Sequence, residues 1–340
     1  MTLNKYSANS LAGKRVLITG ACGTVGSELV KKLLNLQSIV CAFDNDENGL
    51  FALESQYERE KHDLRLFAGD IRDISRLIQA FKGVDVVFHC AAMKHVAITE
   101  YNPDEAIKTN INGVSNVITA ALDCGVSRVL FTSSDKAVNP SGTMGVSKLL
   151  GEKLITAANN HVGVLSTRFA SVRFGNILNS RGSVVEIFRK QIENGKPLTI
   201  TSKKMTRFVL TKAESVDLCI SALEHMQGGE IFIQSMNALS IENLGSALVE
   251  KFQKIEWSII GCKPGEKLHE ELATELEQDR VYLSRGMIVV LPEIIDYLPL
   301  DTIENIKRIK SGPKLVEPVR SDAAVLISIE AIRSLLKDSC

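Results

Sequence analysis

An adjacent carboxyl and amine, Asp135 and Lys136, stand where the apolar run Val129-Leu130-Phe131 gives way to Ser133-Ser134 and then to a helical pattern, Val146, Leu149, Leu150 and Leu154. The run reads as a buried strand. The pair, two groups able to exchange protons, therefore sits at a strand's carboxyl end, where open parallel α/β sheets bind ligands. Pro140, Ser141 and Gly142 turn the chain into the next helix. Standing alone, such a pair reads as a solvated loop. It gains weight from Gly20-Ala21-Cys22-Gly23-Thr24-Val25-Gly26 upstream, which follows a strand-like stretch over 14–19 and opens a helix with Val25, Leu29, Leu33 and Leu34 on one face. Gly20 permits the tight turn, Gly23 admits a pyrophosphate to the backbone, Gly26 lets helix and strand pack closely, and the helix N-terminus offers free N–H groups to phosphates. With this dinucleotide signature on the same sheet edge, the Asp135-Lys136 loop should open onto a nicotinamide.

The elements that would hold these groups alternate along the chain. A second strand over 38–43 ends at Asp44, whose carboxylate can accept from the adenosine ribose and would repel a 2′-phosphate, favouring NAD over NADP. Any of Asn45, Asp46 and Glu47 could instead cap a turn or helix. A third strand over 64–67 leads to Asp70 and Ile71, placed to flank the adenine, and a fourth over 84–89 leads to Cys90-Ala91-Ala92, small residues against which a cofactor can lie flat. A long amphipathic helix over 103–124 carries Asn110, readable as local structure or as the holder of a water near the site. Strands over 129–132 and 164–169 complete the expected α/β fold, a doubly wound parallel sheet. After Arg173-Phe174-Gly175-Asn176 the alternation fades, although 240–252 reads as a capped helix and 322–336 as a C-terminal one. The expected division is a nucleotide-binding Rossmann domain over 1–175 and a mainly substrate-binding region over 176–340, some of whose elements return to the first.

Composition narrows the partners. Lys plus Arg and Asp plus Glu number 40 each, so the formal net charge is zero, which argues against nucleic acid or membrane recognised through bulk charge. Seven cysteines without a CxxC pair, several of them (Cys22, Cys41, Cys90, Cys219) in apolar runs, read as small core hydrophobes in a reducing compartment. The six histidines form no ligand cluster, so no metal is expected, and His89 and His161 read as structural. No apolar run approaches the ~18 residues of a membrane span, and the first residues carry no hydrophobic signal core. A soluble, cytoplasmic protein is the expectation.

The segments Thr19 to Gly26, Ala91-Ala92-Met93-Lys94-His95-Val96, Ser133-Ser134-Asp135-Lys136-Ala137-Val138, Met144-Gly145-Val146-Ser147-Lys148, Arg173-Phe174-Gly175-Asn176, Ser180-Arg181-Gly182-Ser183-Val184, Met205-Thr206-Arg207-Phe208 and Pro264-Gly265-Glu266-Lys267-Leu268-His269-Glu270 resemble the extended short-chain dehydrogenase/reductases. Within these they resemble the UDP-N-acetylglucosamine 4,6-dehydratases of bacterial polysaccharide biosynthesis. One position departs from the wider superfamily: Met144 stands where the Tyr-x-x-x-Lys tyrosine belongs, with Lys148 in place. Methionine cannot act as a base. That substitution resembles the C5-retaining dehydratases rather than the C5-inverting ones, which keep tyrosine. It also differs from the subgroup's long members, whose N-terminal membrane helices are not legible here.

The resemblance implies an internal redox elimination that yields a 4-keto-6-deoxy sugar nucleotide, with bound NAD regenerated. Lys136 would remove the C5 proton as a neutral amine, and Asp135, protonated, would donate to the departing C6 hydroxyl. Those roles reverse a simple ion pair, so burial must dominate. Ser134 would bond the C4 oxygen, Lys148 would orient the nicotinamide ribose, and the base for the C4 hydroxyl is left open between Asp135 and a water. Arg181 and Arg207 are the candidate diphosphate cations. Asn176 would add a neutral bond, Lys94 would contact substrate, and Glu266, Lys267 and His269 match the motif at the nucleotide end. The partners implied are a UDP-sugar and a second copy of the chain in a homo-oligomer, by analogy with four-helix-bundle dimers of the fold. The readings left open are an inverting dehydratase or 4-epimerase of the same fold, and a non-catalytic NAD-binding protein.

Overall fold

The computed structural model of the chain describes residues 10–57, 63–162, 166–249, 256–315 and 319–338. Its first half alternates strand and helix: β1 (Arg15–Thr19), α1 (Thr24–Asn35), β2 (Ile39–Asp44), α2 (Glu47–Gln56), β3 (Leu64–Ala68), α3 (Ile74–Phe81), β4 (Val86–His89), α4 (Val96–Tyr101), α5 (Pro103–Ala106), α6 (Gly113–Asp123), β5 (Arg128–Ser134), α7 (Thr143–Ala158) and β6 (Arg168–Phe174). The second half supplies β7 (Asn176–Ile177), α8 (Val184–Glu193), β8 (Leu198–Ile200), β9 (Thr206–Leu210), α9 (Lys212–His225), β10 (Ile231–Gln234), β11 (Asn237–Ser240), α10 (Ile241–Leu248), β12 (Trp257–Ile259), β13 (Val281–Ser284), β14 (Met287–Val290), α11 (Leu300–Lys310) and α12 (Ile329–Asp338).

Nine strands form one sheet in the order β13-β14-β10-β6-β5-β4-β1-β2-β3, parallel from β3 to β10, with β14 antiparallel to both β10 and β13. Strands such as β1 and β5 are buried on both faces, so they read as continuous apolar runs rather than alternating ones. Chain order reverses between β1 and β4, and the glycine loop and Cys90-Ala91-Ala92 lie on either side of that switch point. Beside the sheet's carboxyl edge, β11-β9-β7 and the β12-β8 pair, with α8, α10 and α12, enclose a separate apolar cluster around Phe188, Leu239 and Leu244.

Three expectations are corrected. The sixth strand runs over Arg168–Phe174 rather than 164–169; Val164 lies outside the described residues. The charge of Arg173 hides the strand, because the cation is paired internally instead of ending the element. The helix over 103–124 is interrupted by a π-helical stretch, Ile107–Asn112, which swings Asn110 inward. The C-terminal helix starts at Ile329, where the Ser328 hydroxyl accepts from the Ala331 N–H at 3.2 Å, while Asp322 is drawn off to Arg320. On α7, Val146 and Leu150 are exposed (51% and 42%) while Met144, Ser147, Lys148 and Glu152 are buried. Leu154 and Ile155 still pack into the core, so only part of the apolar side is turned outward. The Ser240-capped helix ends at Leu248, residues 250–252 lying outside the described residues.

Completely buried at the end of β4, His89 has its Nδ1 2.6 Å from the Thr19 hydroxyl, and burial, with the Lys148 charge second, pushes its pKa down to about 3. The unfolded chain protonates near pH 6.5, so it binds the extra proton between about pH 3 and 6.5. Stability contributed by neutral His89 is therefore present above pH 6.5 and lost as pH falls, at about 1.4 kcal/mol per pH unit. Urea unfolding at pH 7, 6 and 5 should show a shallower acid loss in His89→Asn than in the parent. Parallel curves would refute the assignment.

Candidate active site

The glycine loop has the shape a dinucleotide needs. Gly20 has φ +70°, and a Cβ there would lie 2.7 Å from the Ala91 nitrogen; one on Gly26 would overlap the Gly20 carbonyl oxygen. Gly23 is exposed and caps α1 without a side-chain bond, leaving N–H groups at the helix N-terminus for an anion. Asp44 and Asp46 divide the labour the sequence left open: Asp46 caps α2 through the Gly49 N–H at 2.9 Å, while Asp44 accepts from the Cys22 N–H at 2.8 Å. Asp44 thus braces the glycine loop and keeps a negative charge beside it. Thr24 is the first residue of α1, and its hydroxyl accepts from the Arg181 N–H at 3.4 Å; Val25 packs against the core. Further along the edge, Asp70 pairs with Arg72 at 2.6 Å, which holds its carboxyl below the usual range, and Ile71 packs against Gly113. Cys90, Ala91 and Ala92 are half-buried at the end of β4.

Asn110 is tied into local structure. Its amide accepts from the Met93 N–H at 2.8 Å and donates to the Met93 carbonyl and the Ser147 hydroxyl, both at 2.9 Å. Both amide hydrogens are used, so no donor remains for a water or a cofactor.

At the end of β5 the chain makes a single 3₁₀ turn, Asp135–Ala137, capped by Ser134. Asp135 is fully buried; its Oδ1 accepts from the Ser134 hydroxyl at 2.8 Å and from Lys136 Nζ at 2.9 Å, while its Oδ2 has no partner. Lys136 Nζ also donates to Asn176 Oδ1 at 3.1 Å and lies 3.7 Å from Glu270 Oε1. The N-terminus of α7 packs directly on this turn, for a Cβ on Gly145 would overlap the Lys136 carbonyl oxygen.

Electrostatics here contradict the expectation that burial dominates. Burial pulls the Lys136 pKa down, but the charges of Asp135 and then Glu270 outweigh it, and the amine is held above its ordinary value as an ammonium. Glu270 is pushed up, first by burial and then by Asp135. Lys148 is the depressed amine instead: burial brings it down to about 8, where it donates to the Thr132 carbonyl at 2.9 Å and stands over the Phe131 ring at 4.6 Å.

Lys136 opens onto a cavity of about 410 Å³ lined by Met144, Asn176, Arg181, Arg207, Met205 and Glu270 among others. Lys94, Glu266 and Lys267 also reach it. Arg181 is open, 71% exposed, with Asp46 at 4.0 Å, and its carbonyl accepts from Lys94 Nζ at 2.8 Å. Arg207 is not the free fork expected of a phosphate ligand. It donates to the carbonyls of Thr206, Leu268 and Lys267 at 2.7, 3.1 and 2.8 Å and faces Glu270 at 3.6 Å, clamping the 264–270 loop. Glu266 accepts from the Thr201 hydroxyl at 2.8 Å, Lys267 Nζ donates to the Val138 carbonyl at 2.5 Å, and His269 turns to the Thr206 hydroxyl at 2.8 Å. Glu270, only 2% exposed, was not singled out from the sequence; its signal was its place at the end of the Pro264–Glu270 segment. Among the described residues no helix is long and apolar enough to cross a membrane and no metal-binding cluster occurs.

The chain is 41% identical over 285 residues to a UDP-N-acetylglucosamine 4,6-dehydratase (inverting) of Campylobacter jejuni, covering 83% of this chain and 84% of the relative. It is 35% identical to a UDP-glucose 4-epimerase of Rickettsia massiliae, covering 95% of each chain. The X-ray structure of Pen from Bacillus thuringiensis superposes with a TM-score of 0.88 at 36% identity, over 97% of this chain and 98% of that one. The fold is therefore that of an experimentally determined relative along nearly its whole length. With its profile matching residues 16–291, from β1 through β14, the polysaccharide biosynthesis protein family is the one to which this chain belongs.

Proposed function

We propose that this chain is an NAD-dependent 4,6-dehydratase of UDP-N-acetylglucosamine, retaining at C5 and acting in polysaccharide biosynthesis. The observation that carries the reading is the buried Asp135-Lys136 pair, whose lysine lines the cavity with the aspartate bonded directly behind it: 4-epimerisation calls for neither a C5 base nor a C6 acid, and here both sit on one turn. The glycine loop, its free helix N-terminus and the Asp44 charge fit NAD, which supplies the hydride acceptor for C4 and the donor for C6. Lys148 orients the nicotinamide ribose. Ser134 bonds the C4 oxygen, and Asp135 takes the C4 hydroxyl proton and delivers it to the departing C6 hydroxyl. Lys136, as the free amine, takes the C5 proton and returns it. Arg181 is the diphosphate cation, with Lys267 and Lys94 beside the cavity and Asn176 steadying the Lys136 amine. Met144 replaces the tyrosine with an apolar wall, which leaves the proton chemistry to the β5 turn and supports retention. Apolar Val146, Leu150 and Ile107, exposed on neighbouring helical turns, support a homo-oligomer.

The test is product mass and proton NMR after incubation with UDP-N-acetylglucosamine in heavy water. The expected product has lost one water, carries a 6-methyl group and keeps the C5 configuration. An isomer of unchanged mass would make the chain an epimerase, the reading that the Rickettsia relative favours, and inversion at C5 would refute retention.

A further inference from the structure

The elimination proposed above, on which this inference rests, has two protons to place. One leaves the C4 hydroxyl. The other already sits on Lys136, which is an ammonium in the resting site and must become an amine before it can take a proton from C5. Asp135 is committed to the first, and one carboxyl cannot store both. Two carboxylates face the Lys136 ammonium, Asp135 at 2.9 Å and Glu270 at 3.7 Å, and each keeps one buried oxygen without a partner. An orphaned buried carboxylate oxygen is costly unless it has work to do.

We propose that Glu270 is the second proton store of this site, taking the Lys136 ammonium proton during turnover and returning it afterwards. The balance closes. The ammonium and the Glu270 carboxylate become amine and carboxylic acid; the amine collects the C5 proton and later gives it back to C5; the Glu270 acid then restores the ammonium. Meanwhile the C4 hydroxyl proton travels through Asp135 into the departing water. Nothing is consumed beyond the substrate.

Placement of Glu270 suits the task. Its backbone is pinned on both sides, its N–H donating to the Ser321 hydroxyl and its carbonyl accepting from the Ser321 N–H, each at 2.9 Å. The charged groups around it are Asp135 and Lys136 on the turn after β5, Arg207 on β9 at 3.6 Å and Lys267 on its own loop; adjacent Glu271 points away to Arg320 at 3.7 Å. Burial and the Asp135 charge favour a proton on Glu270, and the three cations oppose it, so the carboxyl is poised rather than fixed.

Glu270→Gln separates this from a purely electrostatic role, because the two differ in sign. If Glu270 only held the ammonium in place, removing its charge would free the amine and speed C5 exchange with solvent deuterium. As the proton store, its loss should slow dehydration and C5 exchange about 100-fold at pH 7, with the rate recovering as pH rises because the Lys136 proton must then leave to solvent. Nucleotide-sugar affinity by calorimetry should be unchanged. Glu270→Asp, which keeps an ionisable oxygen, should retain the parent's pH profile in shape and covers the case in which the amide variant fails to fold. A Gln variant as fast as or faster than the parent, a loss independent of pH, or a new pH limb in the Asp variant would each overturn the proposal. A parent enzyme that forms no dehydrated product would instead refute the function on which it rests.

Discussion

Lys136→Ala is expected to lower the rate of water loss from UDP-N-acetylglucosamine by about 10³-fold, the size of effect general base catalysis supplies, and to abolish deuterium entry at C5. Substrate affinity should change little, because the cation proposed for the diphosphate, Arg181, lines the same cavity and is untouched by the change. The effect is large because the neighbouring amines are engaged elsewhere: Lys148 donates to the Thr132 carbonyl, Lys267 to the Val138 carbonyl and Lys94 to the Arg181 carbonyl. Removing Lys136 also strips the shared cation from Asp135 and Glu270, so both carboxyls take up protons more readily. Hydrogen exchange at C5 followed by proton NMR decides the matter. Persisting exchange in the variant would remove Lys136 as the C5 base.

How far the sequence foretold this site depends on the kind of signal each residue carries. The dinucleotide half was legible because its constraints are local: a glycine with φ +70° between a strand and a helix has few explanations, and the strands of a doubly wound sheet are apolar on both faces. The Asp135-Lys136 pair was legible by position for the same reason. What could not be read was how charges separated by a hundred residues or more would pair. Lys136 meets Glu270 only because the 264–270 loop folds back over the carboxyl edge, and this contact, with Asp135, reverses the balance between burial and charge that a local reading favours. For Arg207 the limit is related, since an arginine in a motif gives no hint that three of its five N–H groups go to backbone carbonyls. On α7 the apolar residues marked the helix but not its buried face: Met144, Ser147, Lys148 and Glu152 turn inward while Val146 and Leu150 are exposed.

Arg173 is where the interior of the fold and the site are joined, and its loss is expected to have the largest effect on stability. The side chain is 1% exposed on β6, and each of its five N–H groups has an acceptor: Glu152 twice at 2.9 and 2.8 Å, Glu277 twice at 2.9 and 2.7 Å, and the Leu272 carbonyl at 3.1 Å. Burial alone would push the Glu277 carboxyl up, but Arg173 outweighs it and holds it below the usual range. Arg173→Leu leaves two carboxylates buried without a cation, a change that costs about 3–5 kcal/mol in such networks. Urea unfolding at pH 7 should register that loss, and a loss under about 1 kcal/mol would mean that the network relaxes at little expense. The loss should shrink as pH falls. Glu277 is depressed in the fold relative to the unfolded chain, so its contribution is present above the ordinary carboxylate pKa and disappears as acid titrates it. Replacing all three members together, Arg173→Leu with Glu152→Gln and Glu277→Gln, should recover much of the stability, because no buried charge then remains. Activity should not recover with it. Arg173 also holds the Leu272 carbonyl, two residues beyond Glu270, so without the guanidinium that segment loses one of the bonds that, with Ser321, keep the Glu270 carboxyl within reach of the Lys136 ammonium.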